Sequence, residues 1–264
     1  MKQNLAVKIW QIVYPLGMYY VIICIAMFFA QLLIGRDNGH YMICQIAASI
    51  VTLPFIYSFY LQDRHVEGAA QQKLHIEKEH LLNLLLGIVI VLFISFALNN
   101  LIIMSPLADI SEGYEEASNA FYGSVLALEL IGSALIAPLL EELLYRGVLF
   151  ARMRKMMPCI PAALVSALIF GVMHFNLVQF VYAFLLGIVL SLLMERAGHI
   201  YPAIAGHICA NTVAVLRTEL HFLDWSMDDS VLAYVSSILA LLIGASLLAF
   251  YCRPLFARRT KADA

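Results

Sequence analysis

The stretch Pro138 to Gly147, PLLEELLYRG, places Glu141, Glu142 and Arg146 inside a largely apolar run from Val125 to Phe150. An ionisable side chain in hydrocarbon costs about 2.5 to 3.5 kcal/mol on insertion scales, so three within a turn and a half require partners or a task. Helical spacing divides them. Glu142 and Arg146 stand at i and i+4 with the acid nearer the N-terminus, the favourable order for an ion pair. Glu141 lies about 100° round the helix from Glu142 and about 140° from Arg146, so one carboxylate faces elsewhere and is left for other work.

Outward from this stretch, the whole chain reads as a membrane protein. Of its 264 residues 62% are apolar and 13% charged, against about 45 to 50% and 25% in ordinary globular domains. The net charge of −2 carries little information, because in a membrane the location of charge matters more than its sum. The five cysteines, Cys24, Cys44, Cys159, Cys209 and Cys252, form no CxxC pair and read as small buried hydrophobes rather than disulfides or ligands. No internal repeat, low-complexity tract or soluble domain interrupts the chain, so residues 1–264 read as one integral membrane domain.

Eight apolar runs follow one another, at residues 12–34, 41–61, 81–104, 123–150, 160–175, 177–194, 200–216 and 231–251. Each approaches or exceeds the roughly 17 to 25 residues that a spanning helix needs, the fifth and seventh being the shortest. The first is too long for the core of a signal peptide. The expected fold is therefore an all-α polytopic bundle of about eight transmembrane helices, with fusion of the fifth and sixth runs an open alternative. Lys and Arg gather on the cytoplasmic side of membrane proteins. With both termini inside, Arg64, Arg152, Arg154, Lys155 and Arg196 fall inside, and the acidic segments 105–122 and 219–229 fall outside. The chain is expected in the cell (inner) membrane, in contact with lipid. A charged segment over 62–80 is expected to continue as surface helix.

Few strongly polar groups lie within the runs: Glu129, Glu141, Glu142, Arg146, His174, Asn176, His207 and Asn211. Phe170 and His174 share a helix face at i and i+4, and so do His207 and Asn211. Counted from the basic end at 1.5 Å per residue, Glu141, His174, His207 and Asn211 reach similar depths on three helices, and a shared polar cavity accounts for all of them at once. Glu129 reads as a helix-end charge, and His199 and His221 as solvated. Glu141 beside a second acid gains proton affinity and suits a general base that activates water. His174 could orient that water, and His207 and Asn211 could donate to an oxyanion. Zinc held by Glu141, His174 and His207 fits the same residue types, so a zinc-dependent and a metal-free mechanism both stand. HExxH, GxSxG, a P-loop and a dinucleotide glycine motif are absent, and no nucleotide or nucleic acid partner is expected.

Three motifs in order, Glu141-Glu142-Leu-Leu-Tyr-Arg146, Phe170-Gly-Val-Met-His174 and His207-Ile-Cys-Ala-Asn211, resemble the EExxxR, FxxxH and HxxxN signature of the CPBP or Abi intramembrane proteases. That family includes the endopeptidases that trim prenylated CAAX proteins. The resemblance covers a core of about residues 123–217. It implies an intramembrane endopeptidase with a cavity open to the cytoplasm. It further implies Glu141 as water-activating base with His174 its partner, His207 and Asn211 at the oxyanion, and Glu142, Arg146 and Phe170 in support. The implied substrate is a peptide or lipidated protein, of prenylated CAAX type or bacteriocin type. A non-catalytic scaffold or bacteriocin-immunity protein of the same fold is the alternative. A proton-coupled transporter is disfavoured by the lack of a duplicated half.

Overall fold

The computed structural model describes residues 4–66 and 78–257, and over these the chain is helical with no strand among the described residues. Three long helices come first: α1 (Leu5–Ile34), α2 (Asn38–Val66) and α3 (Lys78–Ile103). Two short ones, α4 (Leu107–Ile110) and α5 (Tyr114–Phe121), fill the acidic segment. Then follow α6 (Leu126–Arg154), α7 (Cys159–Val172), α8 (Leu177–Ala197), α9 (Tyr201–Leu220) and α10 (Val231–Ala257). All eight apolar runs are thus helical. Most of the surface helix expected over 62–80 lies outside the described residues.

Length and hydropathy separate these helices. Leu5–Ile34, Gly39–His65, His80–Ile103, Leu177–Ala197 and Val231–Phe256 are each long and apolar enough to cross a membrane. A sixth span results if α5 and α6, bent by 108° where they meet, count as one. The chain is therefore a multi-pass all-α membrane bundle, with five or six candidate spans where eight were expected. The difference has physical causes. With 14 residues, α7 reaches only about 21 Å. The polar and charged residues of α9, from His207 to Glu219, dilute its apolar character.

The fifth and sixth runs do not fuse. Between α7 and α8 the chain turns at Met173 to Phe175, with Phe175 in the left-handed region at φ 60°. Asn176 then caps α8: its side-chain oxygen accepts from the Gln179 N–H at 2.9 Å, and its side-chain nitrogen donates to the Gln179 carboxamide at 2.8 Å. This exchange resembles a capping box and fixes the start of α8. The two helices pack along each other as a hairpin.

Packing makes α3 a central post, in contact with α8, α9 and α10. One apolar core lies there, around Ile90, Leu186, Leu190 and Ala203. A second surrounds α6 and α7, around Leu144, Leu149, Phe150 and Ala163. The peripheral helix α1 turns Trp10, Phe28, Phe29 and Leu33 outward, as lipid requires. At the basic end Arg152 ties three helices together. It donates to both oxygens of Asp63 on α2, at 2.7 and 3.2 Å, and to the Gln11 carbonyl on α1 at 2.6 Å.

Within α6 the backbone alternates. Leu130–Ile136 and Leu143–Phe150 are π-helical, flanking the α-helical Ala137–Glu142. Such i→i+5 stretches are rare and recur at functional sites. Pro138–Gly147 straddles the second of these junctions.

Candidate active site

Glu142 and Arg146 form the expected pair, with Arg146 Nη1 donating to Glu142 Oε1 at 2.7 Å and both side chains fully buried. The same oxygen also meets Nδ1 of His207 at 2.9 Å. Ionised Glu142 can only accept, so the proton of that contact sits on the imidazole. The other ring nitrogen, Nε2, stands 3.8 Å from Glu141 Oε2. His207 therefore spans the two acids. The pair read as purely structural orients a ring of the site, a link across 65 positions of chain that spacing could not reveal.

Phe170 is the platform on which these groups are arranged. The Arg146 guanidinium lies 4.4 Å from its ring centroid, a cation–π contact between two buried side chains. The rings of Tyr145, His174 and His207 stand 4.8, 4.9 and 6.0 Å away, the two imidazoles edge-on. His174 follows the last turn of α7, and its Nδ1 lies 2.8 Å from the Phe170 carbonyl. A carbonyl accepts only, so Nδ1 carries hydrogen and Nε2 is left as the acceptor nitrogen of the neutral ring. Asn211, one turn beyond His207 on α9, donates to the Ser133 carbonyl at 2.9 Å. That carbonyl belongs to the first π-helical stretch of α6.

Glu141, His174, His207 and Asn211 all line one cavity of about 180 Å³, together with Phe170. The structure brings together the four side chains that the sequence singled out. The rest of the wall includes Asn99 and Ile103 near the C-terminal end of α3, and Tyr114, Ser118 and Phe121 of α5. The cavity thus runs toward the end of the bundle that carries the acidic segment 105–122. Arg152, Arg154 and Lys155 lie at the opposite end of α6. The cavity therefore reaches toward the acidic end of the bundle rather than the basic one.

Two other expectations change. Glu129 is a helix-end charge, as read, but fully buried, with Oε1 accepting the Ser124 N–H at 3.1 Å. His199 is not solvated: both its ring nitrogens are buried without a hydrogen-bond partner among the described residues, beside the His80 ring. Burial, with His80 and Arg64 nearby, lowers its pKa. His221 is exposed, as expected.

For the zinc reading, the ligand set was Glu141, His174 and His207. Among the described residues no three His, Cys, Asp or Glu side chains converge closely enough to hold a metal ion. The residues as placed do not form a metal cage.

Sequence reasoning missed Gln45 on α2, which lines the same cavity. A carboxamide within an apolar run was the available signal. It also missed Tyr20 and Tyr145, whose hydroxyls lie 3.0 Å apart behind the platform.

Residues 123–213 match the family model described as "Type II CAAX prenyl endopeptidase Rce1-like". The chain is also similar to a protein described provisionally as a membrane peptidase, YdiL of Bacillus subtilis (strain 168). That similarity is 29% identity over 89 residues, which are 34% of this chain and 36% of that protein. The chain thus spans about a third of the length of this relative. No solved structure matches. The resemblance drawn from the three motifs is borne out over this segment of the chain.

Proposed function

We propose that this chain, with its Rce1-like segment at 123–213, is an intramembrane endopeptidase. It hydrolyses a peptide bond in a membrane-associated substrate of CAAX or bacteriocin type, with water activated by Glu141. One observation carries the reading. A partly exposed carboxylate, Glu141, shares a cavity inside the bundle with His174, His207 and Asn211, while its neighbour Glu142 is neutralised by Arg146.

The chemistry follows from the hydrogen-bond inventory. Water between Glu141 and Nε2 of His174 gives its proton to the carboxylate as its oxygen attacks the carbonyl carbon. The oxyanion that forms accepts from the side-chain N–H of Asn211 not engaged by Ser133, and from Nε2 of His207 when that ring is charged. Glu142 holds His207 by its far nitrogen and fixes the ring, as an orienting acid does in a triad. Glu141 then passes the proton to the departing amine nitrogen. Carboxylate and amine products result with no covalent enzyme intermediate.

The test is cleavage of fluorogenic peptides, one of prenylated CAAX type and one without a lipid, by the purified chain with and without a zinc chelator. Chelator-insensitive cleavage of either peptide is expected. Cleavage lost on chelation and restored by zinc would replace the metal-free mechanism. No cleavage of any membrane-associated peptide, with the fold intact, would favour the scaffold or immunity alternative.

A further inference from the structure

A second cavity, of about 220 Å³, lies between α1, α2 and α6. It touches the first through a narrow partition: Gln45, Ala137 and Glu141 line both. The second cavity has a different wall, with the Tyr19 and Tyr41 phenols, the Ser49 hydroxyl and the Gln45 carboxamide set among Ile23, Met27 and Ala48. The side-chain oxygen of Gln45 is buried and accepts no hydrogen bond among the described residues. An orphaned acceptor is a standing cost of about 1 to 3 kcal/mol that a water molecule removes. The cavity is also roomy and polar enough to hold water, which needs about 10 to 15 Å³ and two to four polar partners.

Hydrolysis poses a problem of access. A peptide filling the first cavity displaces the water that the reaction consumes, and the hydrocarbon around the bundle supplies none. We infer that the second cavity is a water compartment, and that Gln45 is a positioning residue that hands water across the partition to Glu141. The substrate occupies one side of the carboxylate and water arrives from the other. The balance is that of hydrolysis: the water oxygen joins the carbonyl carbon, and its proton passes through Glu141 to the amine nitrogen as the C–N bond breaks. The inference rests on the peptidase reading. It adds a residue of α2, a helix outside the family match, and a role for a cavity that substrate does not enter.

The experiment uses the full-length protein in nanodiscs. Gln45→Met keeps length and removes the polar end. Ala48→Leu, on the wall of the second cavity alone, narrows that compartment without reaching the first. Both are expected to lower kcat by on the order of 10 to 100-fold with KM within about twofold, since the reactants are bound but the water is misplaced. X-ray radical footprinting gives a readout independent of turnover: Met27 should be oxidised by neighbouring water in the wild type and protected in Ala48→Leu. A KM rise at constant kcat in Gln45→Met would make the second cavity a substrate limb and overturn the inference. So would unchanged kinetics in both variants, or Met27 left unoxidised in the wild type. If the wild type cleaves no peptide while Met27 is oxidised, the peptidase reading fails and the hydrated compartment stands.

Discussion

Replacing Arg146 by Met tests how strongly the site is held by its buried charges. Arg146 and Glu142 are both fully buried, so solvent does not screen their 2.7 Å contact. Removing one partner of such a pair costs about 3 to 5 kcal/mol, because the other charge stays buried. Loss of the guanidinium from above the Phe170 ring adds up to about 2 kcal/mol. His207 offsets part of this, since its Nδ1 lies on the same Glu142 oxygen. A net loss of about 4 kcal/mol lowers the melting temperature of a chain this size by roughly 8 to 16 °C. Thermal scans of detergent-solubilised protein, followed through dye alkylation of the buried Cys44 and Cys252, read this shift. Glu142→Gln in the Arg146→Met background removes the stranded charge yet keeps an acceptor for His207, so it should recover about half of the loss. A single variant melting within about 2 °C of wild type, or a double variant no more stable than the single, would refute the reasoning.

Three other outcomes follow from the structure. A Cβ on Gly187 would sit 2.9 Å from Arg146 Nη2 and 3.0 Å from Ala167 Cβ, so Gly187→Leu should displace the guanidinium and destabilise by about 1 to 3 kcal/mol, read in the same scans. His199 has a pKa below its ordinary 6.5, because burial and the nearby His80 and Arg64 disfavour its charge. The unfolded chain therefore takes up this proton first. The stability His199 contributes is full above about 6.5 and is lost as pH falls through the lower folded value, so the melting temperature should drop between about pH 7.5 and pH 5.5. His199→Phe should flatten that drop. For sidedness, Glu115→Cys should react with an impermeant thiol reagent from outside intact cells and Lys155→Cys should not; the reverse would turn the cavity toward the cytoplasm.

Much of the fold was legible because hydrocarbon imposes a simple rule, and every apolar run became a helix. The Glu142–Arg146 pair was legible for a similar reason, since i and i+4 bring two side chains together in any helix. The gathering of Glu141, His174, His207 and Asn211 was legible from depth alone. What escaped the sequence depends on tertiary contact or on departures from regular helix. No local rule announces that Leu130–Ile136 and Leu143–Phe150 are π-helical, or that the carbonyl of Ser133 meets Asn211 across the bundle. The hairpin break was present as Asn176 and Gln179 at capping-box spacing, but inside an apolar stretch that also suits a longer helix. The direction of the cavity was illegible, because its far wall comes from α5, a short helix in a segment that reads as loop. His199 misled for the opposite reason: a helix end is exposed only where no neighbour covers it, and here His80 does.

The most direct test of the account is the rate of peptide cleavage by Glu141→Gln beside wild type, with melting temperature measured on the same samples. Gln keeps the volume and a hydrogen-bonding oxygen at Glu141 but cannot take a proton from water. The account predicts a loss of at least about a thousandfold in kcat, in the upper half of the usual share of a general acid–base group because Glu141 both takes the proton from water and returns it to the leaving group, with melting within about 2 °C of wild type. Cleavage retained within about tenfold by a well-folded Glu141→Gln would contradict it.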